Sequence, residues 1–470
     1  MNNQTQLPHI IVIGAGFGGL ELVRALKNAP VRITLIDRQN HHLFQPLLYQ
    51  VATTGLSEPE IAKPIRSIFR DQENVQVILD EAISNDLHHK KIGLRDSGQL
   101  SYDFLVLALG ARTNYFGNDQ WEAFAPGLKS LDDATRIRHN LLLAYEEAER
   151  ESSSEQRSKL MRCVIIGGGP TGVEMAGSIA ELTRKVFQGD FRNTQPKDAE
   201  IILLEVADRI LGPFSKKLSA SAKKQLEDLG VDVRINQKIK DIREGVIELE
   251  NETIEAENII WGAGVRASPF CDHLGAPQDR SGRLKVEPDL SLPEHPEVFA
   301  VGDIVNLTDA KGVAVPGVSP AAMQMGKYVA KQIKNKISGK PDEPAFVYFD
   351  KGNMATIGRS KAIAQVGKIE FSGFVAWLAW LFIHLLFLVG FRNKVFVIIQ
   401  WFYSYINYQR GSRILTGMDR IFKIGNPKSR PESKAEKRRR HEDRDSLTTY
   451  GSQSFKCRDR LSVYLRTVKE

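Results

Sequence analysis

Cysteine is scarce in this chain. Cys163, Cys271 and Cys457 are the only three in 470 residues, and no two form a CxxC pair. That spacing argues against a disulfide framework and against a redox-active dithiol. Reduced, buried thiols are the expectation. Zinc-type spacing is missing too. The paired histidines, His41-His42 and His88-His89, are direct neighbours, which suits loops better than a shared metal, so no metal site is expected. The short polar stretch before the first apolar run at residues 10–13 does not read as a secretory signal or transit peptide, so none is expected. The body of the protein is therefore expected on the cytoplasmic side, where it is made. The net charge of +7 is modest and comes partly from the C-terminal tail, so no nucleic-acid partner is expected. Acidic residues vanish altogether between residues 371 and 418.

Two glycine-rich loops stand out from this background. One is Gly14-Ala15-Gly16-Phe17-Gly18-Gly19, and the other is Gly167-Gly168-Gly169-Pro170-Thr171-Gly172. Each follows a β-branched run and opens a segment with helical spacing. In such a loop the first glycine allows the tight turn, the second lets backbone approach a pyrophosphate, and the third lets helix pack on strand. The helix N-terminus adds unpaired N–H groups and partial positive charge. Two loops point to two dinucleotides held by one chain.

The flanking patterns complete two βαβ units. Residues 10–13, 20–26 and 32–36 read as strand, helix and strand, with Asp37 placed to accept ribose hydroxyls. Residues 162–166, 172–184 and 201–205 repeat the scheme, and Glu205 takes the equivalent place after a polar insert at 188–198. An acid there favours an unphosphorylated ribose, hence NADH over NADPH, with Arg209 nearby tempering the preference. A strand over 102–109 ends at Gly110-Ala111. Another, over 298–301, ends at Gly302-Asp303 before an expected helix, and a carboxylate there suits the ribityl chain of a flavin. Glu174 sits in the first turn of the second helix, where an acid either steadies the helix N-terminus or works near a nicotinamide.

These segments carry a resemblance. IIVIGAGFGGLELVRAL, DFLVLALGARTNYFG, VIIGGGPTGVEMAGSIAEL, WGAGVRAS, VFAVGDI, PGVSPAAMQMGKYVA and DKGNMATIGR, in this order across residues 9–415, resemble the type II NADH:quinone oxidoreductases. The resemblance implies an α/β fold with two Rossmann-like dinucleotide-binding domains, glutathione-reductase-like, plus a membrane-anchoring C-terminal helical region. It implies residues 1–120 and 285–345 as the two parts of an FAD domain, 121–284 as an NADH domain and 346–425 as the membrane-associated region. Residues 426–470 read as a disordered basic tail. It further implies FAD on Gly14, Gly16, Gly19, Asp37, Gly110, Gly302 and Asp303. NADH would lie on Gly167, Gly169, Gly172 and Glu205, with Ala263 and Gly264 beside the nicotinamide half and Glu174 where hydride donor meets flavin. Many relatives carry a glutamine pair, AQxAxQ, before the Gly-Lys-Tyr run. Here Pro320 replaces the first glutamine, which leaves Gln324, with Lys351 as a second candidate, for quinone contact. The missing cysteine pair sets the chain apart from disulfide and sulfide:quinone reductases. A related reductase using ferredoxin or a specialised naphthoquinone, and a non-catalytic redox sensor, remain as alternative readings.

Residues 371–391 form an apolar run with one histidine, His384, and are long enough to span a bilayer by length alone. Trp377, Trp380, Trp401, Phe402, Tyr403, Tyr405 and Tyr408 are expected at a water–lipid interface. Arg392, Lys394, Arg410 and Arg413 are expected to meet anionic head groups. Peripheral, monotopic attachment is the expectation. Such helices often pair, so a homodimer is compatible with the pattern.

Overall fold

The computed structural model describes residues 7–389, 391–407 and 411–415. The tail at 426–470, Cys457, Tyr408 and Arg410 lie outside the described residues. The chain opens with strand β1 (His9–Ile13), helix α1 (Phe17–Ala25) and strand β2 (Arg32–Asp37). All five residues of β1 are buried, and its run of Ile and Val fits a strand covered on both faces. A short strand β3 (His41–Leu43), a helix α2 (Leu48–Ala52) and strands β4 (Val75–Leu79), β5 (Phe104–Leu107) and β6 (Ala111–Thr113) follow. Helix α3 (Leu131–Arg150), capped by Ser130 and Asp133, leads into a second lobe.

That lobe comprises strand β7 (Cys163–Ile166), helix α4 (Pro170–Glu181), and strands β8 (Ile201–Leu204), β9 (Val231–Arg234), β10 (Asn258–Trp261) and β11 (Val265–Ala267). The chain then returns through β12 (Ser291–Leu292), β13 (His295–Ala300) and helix α5 (Ser319–Ile337). Strands β14 (Asn353–Gly358), β15 (Lys361–Val366) and β16 (Ile369–Ser372) form a small antiparallel sheet before helices α6 (Phe374–Phe387) and α7 (Phe391–Asn407).

The first sheet runs β12-β13-β5-β1-β2-β4, parallel except at β12. Its strands come from both sides of the second lobe in sequence. The second sheet, β9-β8-β7-β10, is wholly parallel. A two-stranded antiparallel ribbon, β6 with β11, pairs the segments where the chain leaves one lobe and re-enters it. Both glycine loops thus emerge from the carboxyl ends of central parallel strands, where open α/β sheets bind ligands.

The small sheet lies against α4 through one very close approach. A Cβ built on Gly177 would fall 1.6 Å from the carbonyl oxygen of Ile357. Backbone therefore meets backbone, and glycine alone fits there.

Four expectations change on contact with the structure. The apolar run at 371–391 is not one helix. It finishes a strand, turns at Gly373 (φ +71°), forms the 14-residue α6, and breaks where Leu388 adopts an extended backbone. Among the described residues no helix is long and apolar enough to cross a membrane. Trp377, Trp380 and Trp401 do not face an interface but are buried, at 8, 1 and 7 % exposure. They pack against α2 and the small sheet, because their rings fill the gap between α6, α7 and the body. His41-His42 is a strand rather than a loop, paired with residues 62–64, and His42 is buried. Gly302-Asp303 opens a single 3₁₀ turn, Gly302–Ile304, and the next long helix begins only at Ser319.

Candidate functional site

The two loops have the same internal geometry. Gly14 (φ +106°) leaves no room for a side chain, since its Cβ would sit 2.2 Å from the Ala108 carbonyl oxygen. A Cβ on Gly19 would fall 1.9 Å from the oxygen of Gly14. In the second loop, Gly167 (φ +105°) is closed off by Ala263 at 2.7 Å, and Gly172 by the Gly167 oxygen at 1.8 Å. The middle glycines differ. A Cβ on Gly16 or on Gly169 meets no atom within 4 Å. The outer glycines serve chain packing, and the middle ones keep clear the surface over which phosphates would pass. Both sites fit a dinucleotide on this ground.

The acids at the strand ends hold these loops. Asp37 Oδ2 accepts from the Ala15 N–H at 2.7 Å, and Oδ1 accepts from Gln39 N–H at 2.8 Å. Burial raises the Asp37 carboxyl above its usual range, against the pull of those two N–H groups. Glu205 repeats the arrangement, accepting from Gly168 N–H at 2.5 Å and from Ala207 N–H at 2.8 Å. Each carboxylate oxygen keeps a second lone pair for a ribose hydroxyl.

Around the first loop the structure assembles Gly110 (φ +65°), Gly302 (φ +82°) and Asp303. The Asp303 carboxyl is raised by burial, and Lys129 opposes that rise. Lys129 in turn is lowered by burial and raised by Asp303. The backbone of Lys129 is fixed: its N–H donates to Asp133 at 3.0 Å, and its carbonyl accepts from Gln45. Two opposite charges, both half-buried, act on one another with no side-chain ion pair between them among the described residues. A polar group placed between them would satisfy both.

Around the second loop stand Ala263 and Gly264 (φ +72°). The ring of Phe116 lies over Gly264, 2.6 Å from where its Cβ would be. Glu174 projects from α4 and receives one backbone hydrogen bond from Thr356, while burial pushes its carboxyl up to about 8. Burial holds the two described thiols, Cys163 and Cys271, near 12, so neither is a nucleophile at neutral pH.

Gln324 and Lys351 lie elsewhere, on the α5 side. Both ends of the Gln324 amide are engaged by the main chain of Phe349, each at 3.0 Å. The Lys351 ammonium sits 5.2 Å above the ring of Phe387 at the end of α6.

Sequence reasoning missed two residues here. Lys129 is a single charge in the short loop before α3, and its partner is 174 positions away. His42 was assigned to a loop, yet its Nδ1 donates to the carbonyl of Ala15 at 2.8 Å, and burial lowers it to about 4. Its Nε2 has no partner among the described residues. β3 buries only its middle residue, and nothing in the run His-His-Leu marks His42 as that residue.

A model of the pyridine nucleotide-disulphide oxidoreductase family matches residues 8–326, and one of the NDH2 C-terminal domain matches residues 351–407. The chain is 44% identical over 421 residues to the type II NADH:quinone oxidoreductase Ndh of Mycobacterium tuberculosis, covering 87% of this chain and 90% of the relative. It is 42% identical over 424 residues to NdhA of the same organism, covering 87% and 89%. NDH2 from Plasmodium falciparum, solved in complex with NADH, shares the fold with a TM-score of 0.80 at 20% identity, over 87% of this chain and 100% of that one. On this evidence the chain belongs to the type II NADH:quinone oxidoreductases, FAD- and NADH-using members of the pyridine nucleotide-disulphide oxidoreductase family.

Proposed function

We propose that this chain oxidises NADH at the second glycine loop and reduces a lipid-borne quinone in a cleft beside the first, without pumping protons. The observation that carries the location is that cleft. It measures about 380 Å³ and is lined by Phe17, Leu20, Met323, Leu386, Phe387 and Lys394. Phe17 belongs to the first loop, and Leu386 to Lys394 belong to the junction of α6 and α7. The cleft therefore joins the FAD side of the molecule to its most apolar surface.

That surface is a ridge. Phe374, Leu378, Phe382 and Leu386 recur every four residues along α6, exposed by 56, 47, 61 and 51 %. Phe396, Ile399 and Phe402 continue it on α7. An exposed apolar face on a helix too short to span suits a protein lying on a bilayer. Lys394 and Lys351 stand near its edge for head groups or for the quinone. Pairing of two copies through part of this ridge is the homodimer we infer.

In this reading Gly16, Asp37, Asp303 and Lys129 hold FAD, and Gly169 and Glu205 hold NADH. Bound FAD supplies a hydride acceptor and a two-electron donor. The protein positions the two substrates and sets the charge around them. Glu174, protonated at neutral pH, adds a proton-bearing group beside the nicotinamide site. Gln324 holds the strap at 344–350 in place, and Lys351, which follows that strap, is the better candidate for quinone contact.

The test is anaerobic. NADH should bleach the flavin, and a quinone added next should restore its colour. Bleaching without recovery on quinone would overturn the acceptor assignment and favour a ferredoxin-linked or sensory role.

A further inference from the structure

Phe116 is an aromatic residue held where the core has no use for it. Its ring is 64 % exposed, while its neighbour Tyr115 and the nearby Trp261 are buried. Its backbone is left-handed (φ +54°), which is uncommon for any residue but glycine and an outlier for a bulky one. Two local features hold the turn in that shape. The Asn114 side chain accepts from the Phe116 N–H at 2.9 Å, and Gly117 (φ +91°) follows at once. A strained turn that presents an aromatic ring to solvent points to work at the surface.

The contacts of the ring say where that work is done. The β6–β11 pairing sets Thr113 opposite Val265, so the chain beyond Thr113 runs past Gly264. The Asn114 N–H donates to the Gly264 carbonyl at 3.4 Å. The tip of the Phe116 ring rests on Gly264 itself, since a Cβ there would lie 2.6 Å from Cζ of the ring. Trp261 stands beside it, with ring centroids 6.4 Å apart. The Trp261 indole N–H is held in turn by the carbonyls of Asn114 and Ala263, at 3.0 and 2.5 Å.

The second sheet gives this place a ligand address. Its order, β9-β8-β7-β10, sets three landmarks side by side at the carboxyl ends of the strands. Glu205 follows β8, the glycine loop follows β7, and Ala263-Gly264 follows β10. A dinucleotide with its adenosine ribose on Glu205 and its pyrophosphate over Gly169 carries its other half across the end of β10.

We propose that Phe116 forms an aromatic wall of the nicotinamide half-site, closing the solvent side of the groove where NADH crosses Gly264. It rests on the second loop being the NADH site, and adds to that site a contact from the segment that links the two lobes. The ring offers a flat apolar surface to the nicotinamide ribose and ring, and so narrows the poses open to the hydride donor.

Calorimetric titration of the oxidised, FAD-loaded protein separates the two halves of the ligand, because NAD⁺ probes both and ADP probes only the adenosine half. Phe116→Ala should weaken NAD⁺ binding about three- to tenfold and leave ADP binding unchanged. Phe116→Tyr, which keeps the ring, should bind NAD⁺ as the wild type does. The NADH concentration that half-saturates flavin bleaching should rise in Phe116→Ala by the same factor, with flavin content and unfolding temperature unchanged. Glu205→Ala, by contrast, should weaken both NAD⁺ and ADP. Wild-type NAD⁺ binding in Phe116→Ala would overturn the proposal, and so would an equal loss of ADP binding, which marks a general loosening of the loop. If Glu205→Ala leaves both ligands unaffected, the placement of NADH at the second loop fails, and the wall with it.

Discussion

Alanine at Gly169 separates the ligand-facing glycine from those that hold the loop together. Gly169 has φ −71° and ψ 178°, an extended backbone open to any residue, and a Cβ there meets no atom within 4 Å. Gly169→Ala should therefore leave the fold intact, and even stabilise it by about 0.4–1 kcal/mol through the unfolded chain. The added methyl instead occupies the space over which the pyrophosphate must pass. Losing two charge-assisted hydrogen bonds at roughly 1.5 kcal/mol each costs about 3 kcal/mol, or about a hundredfold in affinity. Gly172→Ala should do the opposite, since its Cβ would land 1.8 Å from a carbonyl oxygen. There the penalty falls on stability, by about 1–3 kcal/mol or more. Thermal unfolding, flavin absorbance and the NADH dependence of flavin bleaching measure the three quantities. Gly169→Ala should show wild-type unfolding, wild-type flavin content and a greatly raised NADH requirement. Unchanged NADH dependence in a folded Gly169→Ala protein would refute the reasoning. Unfolding of Gly169→Ala alongside a stable Gly172→Ala protein would refute it as well.

Glu174→Gln should flatten the pH dependence of stability. The folded carboxyl titrates near 8 and the free one near 4.5, so the wild type is destabilised progressively as pH rises between those values. The effect at pH 7 is at most about 3 kcal/mol, and parallel unfolding curves for the two proteins across pH 5–8 would contradict it. Lys129→Met should weaken FAD retention about tenfold or more while Lys129→Arg preserves it, read from flavin fluorescence on dilution. Equal retention in all three proteins would remove Lys129 from the site. Leu378→Glu with Phe382→Glu places two charges on the exposed ridge and should abolish flotation with lipid vesicles without altering flavin content. Flotation that survives both charges would place the membrane face elsewhere.

The parallel core was legible because its signal is local. Strands buried on both faces read as unbroken Ile and Val, and each is followed at once by its glycine loop and later by its acid. The C-terminal region was not, because hydropathy counts composition and ignores direction. Trp380 and Phe382 are two residues apart, yet one is 1 % exposed and the other 61 %. A helix that buries one apolar face in protein and shows the other looks like a single membrane span until its two faces are separated. Gln324 was readable as a polar residue in the expected segment, but the main chain of Phe349 that engages it lies 25 positions on. Lys129 and Asp303 meet only through the return of the chain to the first sheet, and no local pattern announces such a meeting.

The contact at Gly177 sets a fixed length in the molecule. Helix α4 begins at the nucleotide loop, and β14 leads through β15 and β16 into α6, so the two ends of this path face water and the apolar surface. At their junction no side chain lies between the backbones, and hence no rotamer change is available to absorb movement. The separation between the nucleotide loop and the exposed ridge is therefore gauged by covalent geometry rather than by side-chain packing. A chimera that joins this C-terminal region to another relative's nucleotide domains would keep that separation only if glycine is retained at position 177.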